Sequence, residues 1–131
     1  MKTVRMNYLL MIRSSTERWE AMTEAERRSL GAGTLAVGRH LQALGRLRDG
    51  GGLLDESMTR TVRRGPSGGP VVTDGPFAEA KEHFAGFLVI ECDSEAEAVE
   101  WAAKLPDAAI NRVDVRPVGE ALRSMNGGSP I

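Results

Sequence analysis

The feature that most constrains the fold of this chain is a tight turn that leads into a long apolar segment. Asp74 and Gly75 form a strong turn signal, because glycine accepts positive φ and the aspartate side chain bonds to nearby backbone N–H groups. Pro76 follows and fixes its own φ at about −65°, which makes the turn stiff. Residues 84–92 are largely apolar, so the turn is predicted to deliver a buried central strand.

A second apolar run and a long helix precede this segment. Residues 6–12 have little polarity on either face and predict another central strand. Thr23 and Glu26 form a capping-box pattern, in which each side chain satisfies a free backbone N–H group, so a helix is expected to start there. Apolar residues at helical spacing then predict one buried stripe up to about Arg48, formed by Leu30, Val37, Leu41 and Leu44.

Glycines and prolines divide the middle of the chain. The glycines at 50–52 are expected to end the helix and release a short strand at Leu53–Leu54. Residues 58–64 alternate in polarity, and residues 71–73 resume an extended pattern after the turn cluster at 66–70. The two extended segments are predicted to pair as a peripheral hairpin.

The last part of the chain repeats the order strand, helix, strand. Ser94 and Glu97 form a second capping pattern, and Pro106 is expected to stop the helix that begins there. Residues 111–118 alternate and predict a strand with one face in water. The complete order is strand, helix, strand, hairpin, strand, helix, strand. This is the plan of a ferredoxin-like α+β domain with an inserted β-hairpin.

We expect one domain over residues 1–123 and a flexible tail over residues 124–131, which are rich in Gly and Ser. Two helices on one face of the sheet leave apolar surface on the other face. An open apolar sheet face usually finds a partner, so the sequence predicts a homodimer packed sheet to sheet.

Charge and cysteine content limit the partners and the compartment. The 17 Lys and Arg nearly balance the 18 Asp and Glu, so no net field favours nucleic acid or a membrane surface. Cys92 is the only cysteine, which suits a reducing compartment, and the N-terminus lacks signal-peptide features, so we expect a cytoplasmic protein. His40, His83 and Cys92 stand at no recognised metal-ligand spacing, and we expect neither a metal nor a cofactor.

The turn and the residues around it resemble a known family. Residues 73–79 read TDGPFAE, and Lys81-Glu82 and Gly86-Phe87 follow. This pattern resembles the signature of the DGPF branch of the YCII-related proteins, and the resemblance extends from about Asn7 to Val118. It implies a ferredoxin-like domain that forms a dimeric α+β barrel, similar to muconolactone isomerases and some dehydrochlorinases. Many DGPF proteins are thought to accompany extracytoplasmic-function sigma factors, so a sigma factor is an implied partner.

His40 and Asp74 are the candidates for proton transfer. Shorter YCII-related proteins carry a His that is thought to pair with an Asp, on a helix that resembles residues 39–44, and His40 matches that His. The partner Asp is not matched, because the chain reads Arg-Ser-Ser at 13–15. His40 is either a general base or a polar residue at the edge of the core. Asp74 is either an acid or base, or a structural residue that closes the turn.

Five further residues are candidates for ligand binding. The aromatic residues Tyr8, Trp19 and Phe77 either line a pocket or belong to the core. Lys81 and Glu82 either bind a polar ligand or form a surface ion pair. Two hypotheses of function follow. One is a protein that binds or transforms a small organic molecule by proton transfer, in a pocket between the sheet and the helices. The other is a non-enzymatic regulatory module whose contacts include the arginine-bearing hairpin.

Overall fold

The computed structural model describes residues 5–75 and 81–119 of the chain. Its strands are β1 (Met6–Ser15), β2 (Leu47–Gly52), β3 (Arg60–Arg64), β4 (Pro70–Asp74), β5 (Glu82–Cys92) and β6 (Arg112–Pro117). Four of them form an antiparallel sheet in the order β2-β5-β1-β6, and β3 pairs with β4 in a separate two-stranded sheet. Both predicted central strands, β1 and β5, therefore lie in the middle of the main sheet.

Four helices accompany the sheet: α1 (Thr16–Ala21), α2 (Glu24–Ala43), α3 (Glu95–Ala103) and α4 (Pro106–Ile110). One turn of 3-10 helix, Glu56–Met58, precedes β3. The strand order and the positions of α2 and α3 are those of the predicted ferredoxin-like α+β fold, with the β3–β4 hairpin inserted between β2 and β5. Within the described ranges, no helix is long and apolar enough to cross a membrane.

The core lies between the helices and one face of the sheet. Successive strand residues point to opposite faces, so alternate residues of β1 and β5 are buried against the helices. Leu10 and Leu41 are completely buried, and burial of such a side chain contributes about 1.5–3 kcal/mol. The other buried apolar residues are Tyr8, Ile12, Leu88, Ile90, Cys92, Ala98, Trp101, Ala102 and Leu105.

The predicted capping box at the start of α2 is confirmed. The Thr23 hydroxyl accepts a hydrogen bond from the Glu26 backbone N–H, and the Glu26 carboxylate accepts one from the Thr23 N–H, each at 3.1 Å. Hydrogen bonds to the Glu26 carboxylate, first from the Thr23 backbone N–H and then from its side chain, favour the ionised form and hold the pKa of Glu26 below its usual range. The start of α2 is thus fixed by local sequence alone.

The predicted end of α2 is wrong. The helix ends at Ala43, where Gly45 adopts φ of 71°, a conformation that favours glycine. The backbone N–H of Arg46 donates to the Leu41 carbonyl at 2.9 Å, which closes the helix with a Schellman motif. The glycines at 50–52 therefore belong to β2, Leu53–Leu54 lies outside the strands, and the expected core residue Leu44 is 53% exposed.

Pro106 ends α3 as predicted but also begins α4, which the sequence reading did not anticipate. Proline is favoured in the first turn of a helix, where its missing N–H needs no partner. The start of α4 packs closely on α2, since a Cβ added at Gly33 would lie only 2.6 Å from Cγ of Pro106. This contact places Asp107, the next residue of α4, near the sheet.

The outer face of the sheet has no cover among the described residues. Its apolar side chains are only partly buried: Leu9, Met11, Phe87 and Val89. Arg13 lies beside them, with its guanidinium carbon 5.2 Å from the centroid of the Phe84 ring. The predicted homodimer would cover this face and stays a prediction.

Candidate functional site

A cavity of about 1240 Å³ lies between α2 and the sheet, and glycines line both of these walls. Gly31 and Gly38 of α2 face it from one side, and the glycines at 50–52 of β2 line the other. Gly86 of β5 belongs to the same wall, and a Cβ there would lie 2.9 Å from the Gly51 carbonyl oxygen. At Gly86 the missing side chain thus allows β2 and β5 to approach closely, whereas Gly31 and Gly38 have open space where a Cβ would lie.

Two buried polar residues line this cavity, Ser14 of β1 and Asp107 of α4. Asp107 is 4% exposed, and burial raises the pKa of its carboxyl group because the ionised form loses hydration. Its own backbone N–H and the nearby His83 act in the opposite direction and favour the ionised form. Asp107 is therefore a carboxyl group whose ionised form is disfavoured by burial.

His83 lies at the same end of the cavity as these two residues. It faces Ser14 across the β1–β5 ladder, and its Nδ1 lies 3.3 Å from the Thr16 hydroxyl oxygen. A hydrogen bond from the Thr16 backbone N–H to the Lys81 carbonyl fixes the start of α1 against β5. We call Ser14, Thr16, His83 and Asp107 the polar end of the cavity. Histidine and aspartate side chains are common general acids and bases, so the residues at this end of the cavity are suited to proton transfer.

Trp19 forms an aromatic part of the cavity wall. Arg27 of α2 holds it in place, since Nε and one terminal nitrogen of its guanidinium donate to the Trp19 carbonyl at 3.0 and 2.6 Å. The guanidinium carbon also lies 4.9 Å from the centre of the indole ring. The Arg27 guanidinium is therefore bound to Trp19 as part of the cavity wall.

The structure does not bring His40 and Asp74 together. His40 is exposed on α2, where its ring meets the Trp101 ring edge-on at 5.2 Å between centroids, and it is not among the residues that line the cavity. Asp74 does line the cavity mouth, but its side chain is 90% exposed and lies 3.3 Å from the Arg60 Nε. The proton-transfer roles predicted for these two residues stay predictions.

The predicted ligand-binding residues divide between the cavity, the core and the surface. Trp19 lines the cavity, whereas Tyr8 is buried in the core. Lys81 is exposed and contributes its carbonyl group to the fold, and Glu82 accepts hydrogen bonds from Asn111 and Arg112. Phe77 lies outside the described residues. Of the five, Trp19 is thus the one placed at the cavity.

Comparison with protein families matches the YCII-related domain over residues 6–121. The chain belongs to the YCII-related family. An uncharacterised protein from Rhizobium meliloti (strain 1021) is similar to it, with 36% identity over 85 residues that cover 63% of this chain and 68% of the relative. The match confirms the family resemblance that residues 73–87 suggest. The YCII-related domain includes both the cavity and its polar end.

Sequence reasoning about this YCII-related chain underrated His83 and missed Asp107. From the sequence, His83 was considered only as a possible metal ligand, although it belongs to β5 and pairs with Ser14. Asp107 follows a proline that was interpreted as a helix stop; a proline followed by an acid is also the signal for a helix start. That signal predicts α4, but the burial of Asp107 depends on the close packing of α4 on α2.

The other chemically reactive groups of the YCII-related domain are weaker candidates for catalysis. Burial raises the pKa of the Cys92 thiol to about 11, so this cysteine is not a thiolate nucleophile at neutral pH. In the parts of the chain that the structure describes, no group of three or more His, Cys, Asp or Glu residues is arranged to hold a metal ion. The polar end of the cavity is therefore the strongest candidate for chemistry.

Proposed function

We propose that this YCII-related protein binds a small organic molecule in the cavity and transforms it by proton transfer, with His83 and Asp107 as the groups that carry the proton. The observation that supports this most is that the buried Asp107 carboxyl group and His83 both line the cavity and interact electrostatically. Acid and base catalysis commonly uses two titratable groups that lie in different environments.

The two groups are suited to a reaction in which a proton leaves one atom of the ligand and returns to another. Ionised Asp107 accepts the proton as a C–H or O–H bond of the ligand breaks, and protonated His83 supplies one to the atom on which negative charge develops. Transfer of protons back through the two groups restores both, so such an isomerisation needs no further reactant. Ser14 and Thr16 add hydroxyl groups that can orient a polar ligand.

The charges around the cavity favour an uncharged or cationic ligand over an anion. Five carboxylates line it, against two guanidinium groups and His83. Of the two arginines, Arg27 is committed to the Trp19 carbonyl, which leaves Arg39 as the free cation of the described lining. The carboxylates are Glu20, Asp55, Glu56, Asp74 and Asp107.

We also propose that the protein acts as a cytoplasmic homodimer, in which a second copy covers the outer face of the sheet. The partly buried residues Leu9, Met11, Phe87 and Val89 support this, because apolar sheet faces of this kind usually pack on a partner. A protein that sediments as a monomer at micromolar concentration would contradict the dimer.

A regulatory module, with a sigma factor as partner, is the second candidate function. The exposed hairpin favours it, because β3 carries three arginines and exposes Val62. A pull-down from the native cells with the tagged protein tests this alternative. Recovery of no transcription factor under conditions that retain other partners would count against it.

Thermal-shift measurements on matched aromatic probes test the proposed ligand class. Benzylamine, benzyl alcohol and benzoate have similar shapes and differ in charge, so we expect the first two to raise the melting temperature more than benzoate does. A ligand at 100 times its dissociation constant adds about 2.7 kcal/mol of stability. A response to benzoate alone would contradict the charge argument.

Variants then test the proton-transfer pair on any substrate that such a screen, extended to lactones and other carbonyl compounds, identifies. We expect His83→Asn and Asp107→Asn each to lower kcat by about 10²–10⁴-fold, the usual contribution of general acid or base catalysis, with a smaller effect on KM. His40→Ala and Asp74→Asn are the matched controls. If only the controls lost activity while keeping their melting temperatures, the pair would be His40 and Asp74 instead.

A further inference from the structure

The segment between β2 and β5 carries more exposed large apolar residues than any other segment of comparable length in the described chain. Six of the eleven exposed large apolar residues lie between positions 53 and 72: Leu53, Leu54, Met58, Val62, Val71 and Val72. We call residues 60–74, the two strands and their connection, the arm. Val62 and Val72 face each other across it and are 62% and 57% exposed. Apolar surface of this kind marks an interaction site.

The arm packs mainly on itself. β3 and β4 pair with each other, and neither makes an extensive contact with another described element. A single two-stranded hairpin is marginally stable in water, so an arm of this kind needs a surface to rest on. Its base is closed by a hydrogen bond from the Gly75 backbone N–H to the Thr59 carbonyl at 3.2 Å.

The charges on the arm identify the surface that it fits. The arm carries three arginines and one aspartate, a formal charge of +2 in a chain whose total is −1. Arg60 pairs with Asp74, but no described carboxylate lies within ion-pair distance of Arg63 or Arg64. The complementary charges occur at the cavity mouth, where Glu20 and Glu56 have no described basic partner either.

We propose that the arm docks across the cavity mouth of a second copy of this chain, with Val62 and Val72 on its apolar rim and Arg63 and Arg64 near Glu20 and Glu56. A second copy supplies both the basic arm and the acidic mouth, so two identical contacts form around a twofold axis. Leu35, Leu53 and Leu54 provide exposed apolar surface at the receiving mouth.

Docking of the partner's arm also completes the cavity. A volume of about 1240 Å³ exceeds the roughly 300–1,000 Å³ of typical small-molecule pockets, so the cavity is wider than a metabolite needs. An arm laid across the mouth narrows it and excludes water from the polar end. This interaction does not depend on the proton-transfer role of His83 and Asp107.

Charge exchange between the two surfaces tests the proposal. One variant carries Arg63→Glu and Arg64→Glu, and the other carries Glu20→Lys and Glu56→Lys. We expect each variant alone to raise the dissociation constant of the homodimer at least about tenfold, measured by analytical ultracentrifugation. An equimolar mixture should dimerise again, because each mixed dimer has one natural contact and one with both charges reversed.

The matched control is Val99→Lys, which places a charge on an exposed valine of α3, and it should leave the dissociation constant unchanged. Val62→Lys with Val72→Lys should weaken the dimer as the charge variants do. Circular dichroism establishes that each variant folds. Variants that dimerise like the natural protein, a mixture that fails to recover, or a natural protein that is monomeric at high micromolar concentration would each overturn the proposal.

A labelling experiment gives a second test that does not depend on weakened association. Cys92 is fully buried, so a cysteine introduced by Val62→Cys is the accessible thiol for a photo-crosslinker. The Val62→Cys protein is mixed in its unlabelled and ¹⁵N-labelled forms. We expect crosslinks from position 62 of one isotopic form to the α1 or 3-10 segments of the other. Crosslinks that stay within one isotopic copy would show that the arm does not reach a partner.

Discussion

Ionisation of the buried Asp107 carboxyl group lowers the stability of the fold, and the same group is a candidate for proton transfer. Its carboxyl group lies on the second residue of α4, almost fully buried and facing a cavity, so its ionisation loses hydration that the fold only partly replaces. Residues that function in such places often reduce stability, because the surroundings that tune the group also penalise its charge.

We expect Asp107→Asn to raise the melting temperature at neutral pH. The folded protein holds the Asp107 proton more tightly than the unfolded chain does, so the stability is highest below the unfolded pKa, about 3.9, and falls as pH rises through the folded pKa. The gain of the variant should therefore grow with pH, which melting curves from acid to neutral pH measure. Asp74→Asn, at an exposed carboxylate, should show no such trend. A variant less stable than the natural protein at every pH would contradict this.

Helix α2 and its C-terminal cap contain glycines that have opposite effects on the stability of the fold. Gly31 has a normal helical backbone and open space where a Cβ would lie, whereas Gly45 caps the helix with positive φ. At Gly31 glycine adds only backbone freedom to the unfolded chain, and at Gly45 it supplies a conformation that other residues adopt at a cost.

Substitutions in α2 should separate these roles. We expect Gly31→Ala to raise the free energy of unfolding by up to about 1 kcal/mol and Gly45→Ala to lower it by roughly 1–2 kcal/mol. Gly33→Ala should also be destabilising, because its Cβ would overlap the Pro106 ring. Urea unfolding of the three variants measures the differences. Equal effects at Gly31 and Gly45 would refute the assignment of the helix end.

The elements that local sequence determines were predicted, and those that depend on packing were not. The apolar runs of β1 and β5 and the capping box of α2 act over a few residues, so their positions follow from the sequence. The choice between Gly45 and the glycines at 50–52 as the helix end depends on which of them pairs with β5. Sequence does not show that pairing.

The candidate site was harder to predict than the fold. Trp19, one of the aromatic residues that either line a pocket or belong to the core, lies on the cavity wall, and its role in ligand binding stays a prediction. A family pattern made His40 a candidate for proton transfer. The direction of its side chain depends on the rotation of α2 about its axis, which leaves His40 exposed beside Trp101. Asp107 gained its environment only from contact between α2 and α4, which are far apart in sequence.

At the scale of the whole molecule, a network of charges joins the chain start, β2, the end of β5 and α3. Glu91 accepts hydrogen bonds from Arg48 and Arg5, and Arg46 contacts Asp93 and Glu97 at 3.5 and 3.0 Å. The bond from Arg48, more than the other contacts, holds the pKa of Glu91 below its usual range. Partly exposed pairs of this kind each contribute about 0–1 kcal/mol and weaken in salt.

This network should contribute to the loss of stability in acid. The folded pKa of Glu91 is depressed, so its contribution is present above the unfolded pKa, about 4.3, and is lost as pH falls through the folded pKa. We expect Glu91→Gln to lower the melting temperature at pH 7 and to flatten the acid side of the stability profile. Glu100→Gln, on exposed α3 surface, is the control. An unchanged acid profile in Glu91→Gln would rule out this contribution.

The glycine-lined walls of the cavity have a consequence for how such a protein diversifies. The residues that hold the fold together, such as Leu10 and Leu41, are different from the glycines with open space beside them at the cavity, such as Gly31 and Gly38. A mutation that adds a side chain at the second set changes the size and shape of the ligand that fits, while the first set keeps the architecture. One scaffold can therefore acquire new ligand preferences in single steps.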